Sequence, residues 1–92
     1  NKNSKMYMDS ENIIINEYFI KKSSLVDIKI ENEKIHSFFL YDGEISLKEF
    51  NFKRGDFFTV SHAKNILLKT QKASKLFEIS SPIQPSYSTY FY

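Results

Sequence analysis

Two stretches decide how this chain reads: Tyr41-Asp42-Gly43-Glu44-Ile45-Ser46-Leu47 and Lys53-Arg54-Gly55-Asp56-Phe57-Phe58-Thr59-Val60. They hold the only two glycines in 92 residues, and each glycine stands between strand-like runs. Asp42-Gly43 is a hairpin signal, because a type I′ turn needs positive φ at both central positions and Asp-Gly accepts it at low cost. Gly55 is expected at positive φ as well, with the Asp56 carboxylate capping its turn by accepting from nearby backbone N–H groups. Tight turns at this spacing point to a small β-barrel.

Outward from these turns the alternation is that of strands. Val26, Ile28 and Ile30 alternate with Asp27 and Lys29, the pattern of a half-buried strand. Glu31 to Lys34 reads as a hairpin turn that pairs residues 26–30 with 35–41. The second of these strands puts Ile35, Ser37, Phe39 and Tyr41 on one face and His36, Phe38 and Leu40 on the other. Both faces are apolar, so it belongs in the middle of a sheet. Residues 44–50 read as a return strand with Ile45 and Leu47 inward. Further strands are expected at 57–60, 66–69 and 76–79, and around Ile13–Ile15 and Tyr18–Ile20. No window of ten residues carries a helical period. Six to eight short strands mean a barrel or a sandwich, either of which limits open sheet edges.

Composition bounds the function. Hydrophobic residues make up 41% and aromatics 16%, with nine Phe and six Tyr. A 92-residue chain buries only about 60–65% of its unfolded surface, so one thin core rich in large rings is expected. The net charge is +2, with the signs interspersed, which does not make the basic stripe of a nucleic-acid binder. No cysteine is present, so disulfides and thiolate metal sites are excluded. No apolar run approaches the roughly 20 residues of a membrane helix. These features lean toward the cytoplasm, with no nucleic-acid or membrane partner.

The two ends differ from the middle. Residues 1–12 are polar, with Met6 and Met8 marking a candidate edge strand or a loose terminus. Residues 13–80 are expected to form the barrel. Residues 81–92 hold both prolines, four aromatic rings and no charge. An extended arm is expected there, packed on its own barrel or on a second copy, with a disordered tail as the remaining case.

The stretch from Tyr18 to Ile79 resembles the cupin superfamily, the double-stranded β-helix or jelly-roll barrels. It looks most like the C-terminal barrel of phosphomannose isomerase-type proteins. The resemblance is carried by the strand ending in Tyr41-Asp42-Gly43-Glu44 and by Lys53-Arg54-Gly55-Asp56-Phe57-Phe58-Thr59-Val60. It implies four metal-ligand slots. Gly43 sets the glutamate slot at His36 and the two histidine slots at Ile30 and Asn32, or at Lys29 and Glu31. Gly55 sets the last histidine slot at Ile66. One imidazole does not make a site that needs three or four converging donors, so no metal and no other cofactor is expected.

The expected function is therefore that of a non-catalytic cupin-like domain, structural or oligomerising, of a sugar-phosphate isomerase-like protein. A first residue other than Met fits a domain of a longer chain. A homodimer would form through an edge strand or through residues 82–92. Two alternatives remain open. In the first, the chain is a metal-free sugar or nucleotide-sugar isomerase or epimerase, with His36 as general base and Glu31, Glu44 or Glu49 as its partner. A structural His36 would bond Tyr41 or Ser46 instead. In the second, the chain binds a sugar or sugar phosphate in a cavity lined by Tyr41, Phe39 and Phe58. His62 and Lys53-Arg54 are expected to be surface residues.

Overall fold

A computed structural model describes residues 2–10 and 13–83. These form nine strands: β1 (Lys2–Ser10), β2 (Ile13–Ile20), β3 (Leu25–Lys29), β4 (Lys34–Asp42), β5 (Glu44–Leu47), β6 (Phe50–Lys53), β7 (Phe57–Val60), β8 (Asn65–Thr70) and β9 (Ser74–Pro82). No helix among the described residues is long and apolar enough to cross a membrane. The all-β expectation holds. A five-stranded sheet, ordered β1-β2-β9-β4-β7, packs on a four-stranded sheet, ordered β3-β8-β5-β6. All neighbours are antiparallel.

Period-2 alternation sends one row of each strand into the space between the sheets. His36, Phe38 and Leu40 of β4 and Leu76, Glu78 and Ser80 of β9 enter from the larger sheet, and Val26, Ile28, Ile66, Leu68 and Ile45 from the smaller; all are buried. Phe58 stacks between Phe38 and Phe52, with ring centroids 5.0 and 4.3 Å apart. These rings fill one end of the sandwich. Offset stacks of this kind contribute about 0.5–1.5 kcal/mol each beyond their buried area.

Two connections differ from the sequence reading. Residues 26–30 do not pair with 35–41: β3 bonds to β8, and β4 bonds to β9 and β7. Both strands have an apolar row, and the fold satisfies those rows by facing them across the core from opposite sheets. Asp42-Gly43 is likewise no hairpin. Gly43 has φ 100° while Asp42 is not at positive φ, and the chain turns a corner there from the larger sheet to the smaller. A Cβ on Gly43 would stand 2.2 Å from Ser74 Oγ and 2.6 Å from the Ala73 carbonyl oxygen, so close approach as well as φ demands glycine. The hairpin falls six residues later, at Lys48-Glu49, where Leu47 pairs with Phe50 and Lys48 has φ 55°. The return strand therefore ends at Leu47.

Gly55 has φ 95° in the β6–β7 turn, and Asp56 Oδ2 accepts from the Lys53 N–H at 2.8 Å. At the ends, Lys2–Ser10 forms an edge strand against β2, and β9 continues through Ser81 to Pro82, which pairs with Lys34. Of the arm expected over 81–92, Ser81 and Pro82 belong to β9 instead, and residues 84–92 lie outside the described residues.

Candidate functional site

Register builds the polar cluster inside the sandwich. β4 pairs with β9 so that His36 faces Ser80 and Phe38 faces Glu78. β2 pairs with β9 so that Asn16 faces Glu78 and Tyr18 faces Leu76. His36 and Tyr18 are thus the two diagonal neighbours of Glu78 on the inner face, a spacing that long side chains bridge.

They bridge it by hydrogen bonds with fixed direction. Tyr18 donates its hydroxyl to Glu78 Oε1 at 2.5 Å. The Glu31 backbone N–H donates to His36 Nε2 at 3.1 Å. Nε2 is therefore the acceptor nitrogen, and the ring hydrogen sits on Nδ1, which donates to Glu78 Oε2 at 2.5 Å. Asn16 Nδ2 lies 3.5 Å from Oε1. Glu78 and His36 are each only 3% exposed, and an unpaired carboxylate so buried would cost several kcal/mol. Here the Tyr18 hydroxyl and the His36 Nδ1–H both donate to the carboxylate. Burial, then the hydrogen bond to Glu78 and its charge, push the Tyr18 phenol well above its ordinary range. A cavity of about 310 Å³ adjoins the cluster, lined by Asn16, Tyr18, Glu31, His36, Glu78 and Ser80 among others.

The candidate residues are not brought together. His36 is inside, but its carboxylate partner is Glu78 rather than the side chain of Glu31, Glu44 or Glu49. Its second bond goes to the Glu31 backbone instead of Tyr41 or Ser46. Phe39 and Tyr41 leave the cavity altogether: they lie on the outer face of the larger sheet, because their parity on β4 is opposite to that of His36. Tyr41 stacks on Phe77 with centroids 5.0 Å apart and donates to the buried Glu17 carboxylate. Of the three proposed cavity rings, only Phe58 is interior, and it is part of the packed stack. Lys53, Arg54 and His62 are exposed, the last at φ 59°.

Glu78 was missed because Leu76-Phe77-Glu78-Ile79 carries large apolar groups on both parities. The usable signal was Ser74, Leu76, Glu78 and Ser80 recurring every second residue. That row is too polar for one face of a core strand unless it feeds a buried network.

Solved structures of known proteins share this architecture. The Schizosaccharomyces pombe Cnp3 cupin domain superposes with a TM-score of 0.76 at 15% identity, over 96% of this chain and 66% of that one. The Cupin_2 domain of an XRE family transcriptional regulator from Enterobacter cloacae gives 0.77 at 9% identity, over 90% and 98%. KdgF from Halomonas sp. gives 0.72 at 12% identity, over 92% and 83%. The fold is that of a cupin. This cupin barrel spans about two thirds of the Cnp3 domain's length. No family model and no curated protein matches its sequence.

The metal that many cupins hold can be tested against the donors present. Ile66 is a buried hydrocarbon on the inner face of β8. Both nitrogens of His36 are engaged within the chain. Among the described residues no three His, Cys, Asp or Glu side chains converge. The donor set of this cupin barrel does not fit a transition metal.

Proposed function

We propose that this chain is a non-catalytic cupin domain that works as a structural, self-associating module. The observation that carries the reading is the closed state of the His36 network. A general base needs a nitrogen free to take a proton from its substrate. His36 Nε2 is held by the Glu31 N–H and Nδ1 by Glu78, so the imidazole serves as a brace between β4, β9 and the β3–β4 connection. The ring stack of Phe38, Phe58 and Phe52 fills the other end. The narrower expectation, a barrel within a sugar-phosphate isomerase-like protein, rests on the sequence resemblance and stays part of this proposal.

A second reading is favoured by the 310 Å³ cavity beside His36: a metal-free sugar isomerase or epimerase in which Glu31 swings away and Nε2 becomes the base. One experiment decides between them. The chain is incubated in D₂O with hexose 6-phosphates and with nucleotide sugars, and loss of the carbon-bound proton signals is followed by NMR. No exchange above the protein-free rate is expected. Exchange that is abolished by His36→Gln would overturn the non-catalytic reading.

A further inference from the structure

The two sheets turn different faces to solvent. On the outside of the four-stranded sheet, Asp27, Lys29, Asn65, Lys69, Ser46 and Lys53 make an ordinary solvated surface, with Leu25 and Leu67 standing among them. From β2 to β7 the outside of the five-stranded sheet is largely apolar. One cross-strand row there is Phe57, Phe39 and Phe77, in register from β7 through β4 to β9. The next runs Thr59, Ser37, Ile79 and Ile15. Phe57, Phe39 and Ile79 are 62%, 41% and 43% exposed. Charge is nearly absent between β2 and β7: Glu17 is buried and bonded to Tyr41, and Lys75 lies at one end.

We propose that this outer face of the five-stranded sheet is a two-fold self-association surface whose occupant is a second copy of the chain. The proposal rests on the self-associating reading above and assigns its surface. Size supports the second copy. The four strands from β2 to β7 lie about 4.8 Å apart; β2, β9 and β4 have eight or nine residues and β7 has four, which gives a face of roughly 480 Å² per copy. Two copies would bury roughly 950 Å², close to the ~1,000 Å² at which specific interfaces begin. Composition supports it too: aromatic and aliphatic groups at the centre, with charges removed from it, mark a contact core rather than a solvated sheet. Three of the four edges serve less well, since β7, β3 and β6 have only four or five residues each; the fourth is β1, nine residues long. β9 is the third of five strands, and Ile79 sits near the middle of the face. In a two-fold contact the surface meets itself, so Ile79 approaches Ile79 of the other copy.

The chain has no cysteine, so an introduced thiol reports alone. Ile79→Cys, treated with a short bismaleimide at micromolar concentration, is expected to give covalent dimer at least tenfold faster than Leu67→Cys on the opposite sheet. Ile79→Glu and Phe39→Glu are expected to lower the mass in solution from dimer to monomer while the circular dichroism stays that of a folded sheet. If the unmodified chain is dimeric, and Ile79→Cys links no faster than Leu67→Cys while the folded Glu variants stay dimeric, the surface assignment falls and the self-associating reading stands. If the unmodified chain is monomeric, that reading falls as well. A chain that becomes dimeric only after removal of residues 84–92 would place the chain's own end on the face and overturn the proposal.

Discussion

Glu78 shows how one residue organises the interior. Its carboxylate accepts from Tyr18 and His36, and the direction of the whole chain is set by the Glu31 N–H at His36 Nε2. Glu78→Gln keeps an acceptor for His36 Nδ1–H and a donor that the Tyr18 oxygen can accept, so a loss of about 1 kcal/mol is expected in urea unfolding. Glu78→Leu removes the carboxylate that accepts from both the Tyr18 hydroxyl and His36 Nδ1–H, and a loss of about 2–4 kcal/mol is expected. Equal losses in the two variants would contradict this wiring. Tyr18 makes a pH prediction. Its folded pKa lies above the ordinary 10, so the unfolded chain releases this proton first. The contribution is fully present below pH 10 and is lost as pH rises further. In an ultraviolet titration, the component removed by Tyr18→Phe is expected above pH 10; a component at or below the ordinary value would contradict it. His36 was legible as a candidate because histidine on an apolar strand is conspicuous. Glu78 was not, because its partners come from 42 and 60 residues away.

At the scale of elements, the strands themselves were legible and their pairing was not. Val26-Asp27-Ile28-Lys29-Ile30 announces a half-buried strand whichever sheet receives it, so alternation cannot say that β3 and β4 lie in opposite layers. Asp42-Gly43 carries the chemistry of a hairpin, yet the tertiary fold uses the glycine's freedom for a corner. The two glycines separate these demands. Gly43→Ala meets both a positive φ and contacts of 2.2–2.6 Å with Ser74 and Ala73, whereas Gly55 has open space around it. Gly55→Ala is expected to cost about 1 kcal/mol from φ alone. Gly43→Ala is expected to cost clearly more, about 3 kcal/mol or above. Comparable melting temperatures for the two variants would contradict the corner. A similar device ties β8 to the β2–β3 turn: buried Thr70 Oγ1 accepts from the Ser24 N–H at 2.8 Å and donates to the Lys21 carbonyl at 2.6 Å. Thr70→Val keeps the shape and removes both bonds, with an expected loss of about 1–3 kcal/mol.

For the molecule as a whole, an all-β barrel or sandwich followed from short strands, glycine turns and the absence of a helical period, and the jelly-roll class came with the cupin resemblance. The cupin resemblance read from Gly43 and Gly55 agrees with the architecture, although both glycines sit in connections other than simple hairpins or metal-binding turns. The unequal faces of the two sheets were not legible in advance. Phe39, Tyr41, Phe77 and Ile79 look like core residues in any one-dimensional reading, and only the register reveals that their parity points outward. That misplacement is informative, because large rings on the outer side of a sheet need a reason. The proposed self-association would supply it, while His36 and Glu78 inside are engaged by hydrogen bonds within the chain. The most direct measurement is the mass of the 92-residue chain by sedimentation equilibrium at micromolar concentration. A dimer, about twice the 10.9 kDa of one chain, is the predicted result. A mass that stays at 10.9 kDa as concentration rises would contradict the account.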